Sequence, residues 1–158
     1  MATTNWVLDP THSEVQFRIK HLMITNVTGS FSTFDASAAT EGDDFTKAAI
    51  NFKAQVDSIS TNNQQRDTHL KSADFFEAEK YPEIIFKSTN AGDRDAEGNF
   101  TLNGDLTIRD VTKNISLNVD FGGITKDPYG NTKAGFTLSG KINRKDFGLT
   151  WNAALETG

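Results

Sequence analysis

The alternation from which the fold can be inferred is clearest in FTLNGDLTIR, residues 100–109. Apolar or small residues occupy every second position of this stretch, and polar residues occupy the positions between them. A repeat of two is the side-chain period of a β-strand, in which successive side chains point to opposite faces of the sheet. Because one face is apolar and the other polar, the stretch predicts an antiparallel strand with one buried and one solvated face.

The same alternation recurs on both sides of this stretch. It is found at residues 14–20, 49–56, 115–121 and 134–142. Further strands are predicted at residues 27–34 and 84–88, with short pieces at 6–8 and near Trp151. This makes about eight strands, and an eight-stranded barrel has an interior just wide enough for side chains or one small ligand. A meander of strands without alternating helices predicts a single all-β domain over residues 1–158, folded as an antiparallel barrel or sandwich.

One stretch does not alternate. Between residues 65 and 78, Leu70, Ala73 and Phe76 recur at intervals of three, which is the spacing of one face of a helix. The segment ends before Pro82, because proline does not continue a helix. The sequence therefore predicts one short helical segment, whose apolar face covers one mouth of the barrel.

Composition excludes several classes of function. The net charge is −5 and Lys and Arg are scattered, which argues against a nucleic-acid partner. Apolar runs are far shorter than the ~20 residues of a spanning helix, so stable membrane insertion is not expected. The chain has no cysteine, which excludes disulfides. The start, MATTNWVLDP, lacks the pattern of a signal peptide, so we expect a cytoplasmic protein, or a periplasmic one if Met1 replaces a removed leader.

Phenylalanine is unusually frequent, with twelve residues against two Trp and two Tyr. On the predicted inward face, these rings alternate with residues that have little side chain, such as Gly29, Ala54, Gly104, Ala134 and Gly140. The pattern is compatible with two interiors. One is a core filled by the rings, and the other is a tube beside the rings that holds one ligand.

A series of motifs runs in order along nearly the whole chain. The first is His12-Ser-Glu-Val-Gln-Phe17, followed by Val27-Thr-Gly-Ser-Phe31. The central block is the longest and most specific, with Arg66-Asp-Thr-His-Leu-Lys-Ser-Ala-Asp-Phe-Phe76 and then Tyr81-Pro-Glu-Ile-Ile-Phe86. Gly104-Asp-Leu-Thr-Ile108 and Asn143-Arg-Lys-Asp-Phe-Gly148 complete the set. Together these motifs resemble the YceI-like family of polyisoprenoid-binding proteins.

The resemblance implies an extended, lipocalin-like, eight-stranded barrel that encloses a long apolar ligand. The ligand classes that it implies are a polyisoprenoid, an isoprenoid quinone or a long acyl lipid, bound for carriage, storage or a stress-linked role. No established reaction comes with the family. Family members continue into a final strand beyond Gly158, where this chain ends. If Gly158 is the true terminus, we expect an unpaired edge there, and if it is a truncation or the end of a tail, no such edge follows. Such an edge invites pairing with a second copy, so a homodimer is an expected partner state.

The candidate ligand-binding residues form an apolar and a polar group. The apolar group is Phe17, Ile19, Phe31, Phe52, Leu70, Phe75, Phe76, Phe86, Leu106, Phe121, Phe136 and Leu138. The polar group is His21, Arg66 and His69. His21 follows Phe17 and Ile19 at even spacing, so it is expected to point inward, toward a ligand headgroup or a backbone carbonyl at the rim. Arg66 could face a phosphate headgroup or, with Asp67, cap the helix and tie it to the barrel wall.

Two other functions compete with ligand carriage. One is an enzyme that acts on a lipid-like substrate, with His21 or His69 as acid–base residue. The other is a filled barrel that pairs with itself or a partner through an edge near Trp151. No catalytic residue, metal site or cofactor is predicted, because the three histidines lack ligand spacing and no GxSxG elbow is present.

Overall fold

A computed structural model describes residues 3–9, 12–21, 25–42, 44–73, 75–92, 94–142 and 144–147. The strands in these ranges are β1 (Thr3–Val7), β2 (Val15–His21), β3 (Thr25–Phe31), β4 (Phe34–Glu41), β5 (Asp44–Gln55), β6 (Ile59–Ser60), β7 (Glu83–Ala91), β8 (Phe100–Ile108), β9 (Val111–Lys126) and β10 (Thr132–Ser139). The helix α1 is Gln64–Leu70, and 3-10 turns lie at Val56–Ser58 and Arg144–Phe147.

The strands form two antiparallel sheets. The larger sheet has seven strands in the order β1-β4-β5-β7-β8-β9-β10, and the smaller sheet has the order β2-β3-β6. The larger sheet is strongly curled and forms a half-barrel, which confirms the predicted all-β antiparallel fold. No helix among the described ranges is long and apolar enough to cross a membrane.

β8, the strand with the clearest alternation in the sequence, lies near the middle of the larger sheet. In β8, Phe100, Leu102 and Leu106 are buried, whereas Thr101 and Asp105 between them are exposed. Antiparallel neighbours continue this inner face, since Phe86 of β7 lies opposite Leu106 and Val119 of β9 lies opposite Phe100. The core therefore lies against the concave side of the curl.

Two strands were not predicted. The segment expected as one strand over residues 27–34 is two, because β3 ends at Phe31 and β4 begins at Phe34. The sequence of β4, FDASAATE, carries small residues on its inner face and gives little hydrophobic contrast. β6 has only two residues. β10 ends at Ser139, before the predicted limit of residue 142, and the strand expected near Trp151 lies outside the described residues.

The predicted helical segment is a helix in its first half only. α1 begins after Asn63, whose side chain accepts a hydrogen bond from the N–H of Arg66 over 3.0 Å, and it ends at Leu70. The chain then continues as turns, with the carbonyl of Ser72 accepting from the N–H groups of Phe75 and Glu77. Glu77 also pairs with Arg109 of the β8–β9 turn over 3.2 Å. These contacts hold the segment across one end of the curled sheet, which is the position expected of a segment that covers that end.

Candidate ligand-binding interior

The concave face of the larger sheet is apolar, but its coverage is uneven. Phe52 lies in register with Phe86, and Phe121 lies in register with Phe136. Phe86 is buried, whereas Phe52, Phe121 and Phe136 are half-buried. Leu138, on the same face of β10, is 46% exposed. The curl thus presents apolar surface that the protein itself covers only in part.

Two of the small residues on the inner faces, Gly29 and Gly104, do not create empty space. The ring of Phe17 lies over Gly29, its cross-strand partner, and the ring of Phe86 lies over Gly104. A β-carbon at either glycine would collide with these rings. At these two positions the interior is therefore a filled core, and room for a ligand has to lie along the half-buried rings.

Ring contacts sort the predicted phenylalanines into groups. Phe17, Phe31 and Phe76 form one group beside the smaller sheet, with centroid distances of 5.6 Å for Phe17–Phe31 and 6.5 Å for Phe31–Phe76. Phe121 and Phe136 form another on the larger sheet, 5.1 Å apart. These five rings thus lie on two apolar surfaces, one beside the smaller sheet and one on the larger sheet.

A ring outside the predicted ligand-binding set joins the two end strands of the larger sheet. Phe45, near the start of β5, is 6% exposed. Its centroid lies 5.0 Å from Trp6 of β1 and 4.5 Å from Phe136 of β10. β1 and β10 are the two ends of the strand order, so Phe45 bridges the two end strands of the larger sheet.

Three polar side chains on the inner face, those of Trp6, Thr40 and Ser88, are hydrogen-bonded within the protein. The indole N–H of Trp6 donates to Thr40 Oγ1 over 2.9 Å, and that hydroxyl donates to the carbonyl of Gly42. Ser88 Oγ accepts from the N–H of Ile50 over 2.8 Å. Since buried polar groups are stable only when they are hydrogen-bonded, these contacts leave an inner face suited to an apolar molecule.

Arg66 and Asp67 both bind Thr61, which is 4% exposed. Arg66 donates from Nε to Thr61 Oγ1 over 2.8 Å and from Nη2 to the Thr61 carbonyl over 2.9 Å. Asp67 Oδ1 accepts from the Thr61 N–H over 2.8 Å and from its hydroxyl over 2.6 Å. These contacts tie the start of α1 to β6, in agreement with the structural interpretation of the pair. A role of Arg66 toward a ligand stays a prediction.

Of the two predicted ligand-binding histidines, His69 has a described side chain and His21 does not. His69 is half-buried on α1, with its ring edge-on to Phe75 at 5.1 Å. His21 ends β2, and Ile19 precedes it, but the side chains of both lie outside the described part of the molecule. No group of three or more His, Cys, Asp or Glu that could hold a metal is found among the described residues.

An ionic cluster lies where β1 ends and β10 begins. Lys133 Nζ donates to Asp9 Oδ2 over 2.8 Å and lies 3.7 Å from Asp127 Oδ2. The hydrogen bond to Asp9 raises the pKa of Lys133 above its ordinary value. The backbone N–H of Asn131, the N–H of Tyr129 and the charge of Lys133 lower the pKa of Asp127.

A shallow cavity of about 360 Å³ lies on β4, β5 and β7. It is lined largely by side chains of the outer, polar face, including Asp35, Asn51, Lys53 and Lys87. Phe52 is the one predicted ligand-binding residue on its lining. This cavity is therefore distinct from the apolar interior.

The chain resembles known proteins in sequence and in structure. Residues 6–158 match the model of the YceI-like domain. The chain is 37% identical over 156 residues to a UPF0312 protein of Staphylococcus aureus strain N315, which covers 98% of this chain and 88% of the relative. A UPF0312 protein of Staphylococcus aureus strain MW2 matches to the same extent.

Solved structures show the same fold. The crystal structure of the YceI protein of Campylobacter jejuni superposes with a TM-score of 0.74 at 38% identity, covering 90% of this chain and 83% of that chain. Burkholderia cenocepacia BcnA also superposes with a TM-score of 0.74, at 19% identity and over 91% and 86% of the two chains, which supports the fold alone. The match over residues 6–158, together with these relatives, shows that the chain belongs to the YceI-like family.

Proposed function

We propose that the protein binds one long apolar ligand within the curl of the larger sheet and acts as a carrier or store for it. The ligand class is a polyisoprenoid, an isoprenoid quinone or a long acyl lipid. The observation that carries the proposal is the apolar concave face on which Phe52, Phe121 and Phe136 are only half-buried. Exposed apolar surface inside a concave fold is typical of a ligand site.

The apolar character of this face supports a hydrocarbon chain as the part of the ligand that is bound. Thr40 and Ser88 on the inner face have hydrogen-bond partners within the protein, so these two side chains are not poised to act on a substrate. This favours binding over catalysis, because catalysis requires polar side chains that meet the reacting atoms. We place the polar end of the ligand toward α1, where Arg66 and His69 are half-buried.

The affinity of such a complex can be estimated from ligand size. At ~0.3 kcal/mol per heavy atom, a ligand of roughly 40 carbons would bind with about −12 kcal/mol, which corresponds to a nanomolar dissociation constant. A ligand held this tightly would remain bound through purification. The proposal therefore predicts that the purified protein carries lipid.

Native mass spectrometry of the purified protein, together with analysis of its organic-solvent extract, tests the proposal. We expect one molecule of isoprenoid or long acyl mass per chain. Phe136→Glu should abolish this species, because it places a charge against the apolar face. Thr137→Glu is the matched control, since Thr137 is exposed on the opposite face of the same strand. A clean, lipid-free protein that also takes up no isoprenoid or acyl lipid from vesicles would disprove the proposal.

A further inference from the structure

We propose that a cluster of four aromatic rings ends the ligand site inside the curl of the larger sheet and so sets the longest chain that the protein accepts. The rings are those of Trp6, Phe45, Phe121 and Phe136, and we call them the aromatic stop. This inference rests on the proposed function and deepens it, because it assigns the residue that selects among long apolar ligands by their length.

The rings of the aromatic stop meet across the concave side of the sheet. Phe45 lies on β5 and Phe121 on β9, and two strands, β7 and β8, lie between them in the strand order. In a flat sheet, strands so placed are about 14 Å apart. The ring centroid of Phe45 nevertheless lies 6.1 Å from that of Phe121 and 4.5 Å from that of Phe136. Rings at these distances are in contact, so a chain that runs along the concave face meets them.

The aromatic stop and α1 lie at opposite ends of the curl. Phe45 is near the start of β5, whereas α1 follows the end of β5 along the chain. β8 pairs antiparallel with β7, as β5 does, so the β8–β9 turn lies at the α1 end, and Arg109 of this turn contacts Glu77 just after α1. From Val111 at that end, β9 reaches Phe121 after about 34 Å of strand, at ~3.4 Å per residue.

This arrangement decides which part of the ligand meets the rings. The proposed function places the polar end of the ligand toward α1. The aromatic stop therefore meets the apolar tail, which is the part that differs between members of one lipid series. A stop at the tail selects by chain length and is indifferent to the headgroup.

The rest of the protein holds the aromatic stop in place. The indole N–H of Trp6 donates to Oγ1 of Thr40, a residue that is 1% exposed. On the other side, the backbone N–H of Phe121 donates to Oδ1 of Asn99 over 3.1 Å, and the ring of Phe121 lies 3.3 Å from where a β-carbon at Gly98 would be. Rings packed and tethered in this way resist displacement by a ligand tail.

Phe45 is the centre of the aromatic stop. The other three rings all contact it, and it is 6% exposed, whereas Phe121 and Phe136 are half-buried. Phe121 and Phe136 can therefore contact a ligand, while Phe45 fills the space behind them. A smaller side chain at position 45 would open this space to the tail of a longer ligand.

Native mass spectrometry measures the length limit directly. The protein is incubated with an equimolar series of all-trans polyprenols from geranylgeraniol upward and, separately, of saturated fatty acids from palmitic acid upward. We expect the wild type to reject chains above one length. Phe45→Leu should accept a polyprenol at least one isoprene unit longer, with discrimination against that chain reduced on the order of tenfold. Leucine is chosen because loss of the whole ring would cost more stability.

Leu138→Trp tests the aromatic stop in the opposite direction. Leu138 lies on the same face of β10 as Phe136 and pairs with Val119, which is two residues nearer to the α1 end of β9 than Phe121. It is 46% exposed, so a larger ring fits there without overpacking the core. This variant should lower the length limit by at least one isoprene unit, and it keeps the proposal testable if Phe45→Leu does not fold.

Phe147→Leu is the matched control for loss of a buried ring. Phe147 is 1% exposed and lies in the 3-10 turn Arg144–Phe147, outside the aromatic stop. This substitution removes the same atoms as Phe45→Leu and should leave the length limit unchanged. Equal shifts in the two variants would show that general loosening, and not the aromatic stop, sets the limit.

The remaining outcomes separate this inference from the proposed function. A wild type that binds chains of every length alike, or a wild-type limit that persists in both Phe45→Leu and Leu138→Trp, would overturn the aromatic stop and leave ligand carriage intact. A wild type that binds no chain of either series would contradict the proposed function and, with it, this inference.

Discussion

The ring of Phe86 lies over Gly104, on the neighbouring strand, and occupies the space that a side chain at position 104 would need. A β-carbon there would also meet the carbonyl oxygen of Lys87 at 2.6 Å, and this backbone atom cannot move aside as a side chain can. The absence of a side chain at Gly104 is thus a requirement of close packing in the centre of the larger sheet.

Gly104→Ala is expected to lower the free energy of unfolding by about 1–3 kcal/mol, the cost of overpacking a core. Urea denaturation measures this change. Gly135→Ala is the control, because its β-carbon would meet no atom nearer than the Cα of Gly122 at 4.0 Å. Equal stability of the two variants would contradict the packing argument.

Phe45→Ala is expected to lower the free energy of unfolding by about 3–5 kcal/mol, as for other buried phenylalanines. The loss follows from the contacts of this ring with Trp6, Phe121 and Phe136, which no neighbour can replace. Chemical denaturation followed by circular dichroism measures the change. Val7→Ala, at a position that is 87% exposed, should alter stability by less than about 0.5 kcal/mol. A small effect at Phe45 would show that the bridge does not stabilise the fold.

Asp67→Ala is expected to lower the free energy of unfolding by about 1–3 kcal/mol, because it leaves the buried N–H and hydroxyl of Thr61 without their acceptor. Asp67→Asn should cost less, since the amide oxygen can still accept one of the two hydrogen bonds. Urea denaturation ranks the two variants, with the exposed Asp110→Ala as control. The reverse order of the two Asp67 variants would disprove this role for the carboxylate.

Asp127 makes stability depend on pH in the acid range. Hydrogen bonds from the N–H of Asn131 and of Tyr129 lower the pKa of Asp127 below its ordinary value of 3.8. Its contribution to stability is therefore present above pH 3.8 and is lost as the pH falls through the lower value of the folded state. The difference in unfolding free energy between the wild type and Asp127→Asn should shrink as the pH falls below about 3.8. A constant difference would contradict the assignment.

The strands that could be predicted are those with an unbroken alternation. β8 follows its predicted pattern of burial along its length, because every inner position holds an apolar or small residue in a regular ladder. β4 was not predicted because Ala36 and Ala38, on its inner face, differ little in hydrophobicity from Ser37 and the other outer residues. Its place in the sheet comes from pairing with β5, which is a tertiary contact.

The inward position of Phe45 could not be predicted from the period-two alternation of the sequence. The register between β4 and β5 shifts between Ala39 and Glu41, where Ala39 pairs with Ala49 but Glu41 pairs with Asp44. This irregularity reverses which positions of β5 face inward, so Phe45 and Phe52 share the interior although one is odd and the other even. Short-range patterns carry no information about such a shift.

The polar contacts of the candidate site were predictable only in part. Arg66 and Asp67 lie in one motif, and a structural role at the helix start was one of the two interpretations that their sequence allowed. The pairing of Asp9 with Lys133 could not be foreseen, because the two residues are 124 positions apart and only the curl of the sheet brings them together.

That separation also bears on how the chain folds. Most neighbours in the larger sheet are joined by short hairpins, whose formation closes small loops and proceeds quickly. Contact between Asp9 and Lys133 requires the strands from β1 to β10 to be in place, so during synthesis β1 waits for the β9–β10 hairpin to emerge. We expect closure of the curl to be the slow, late event in folding. Until it closes, the phenylalanine-rich concave face is exposed to other chains and to lipids in solution.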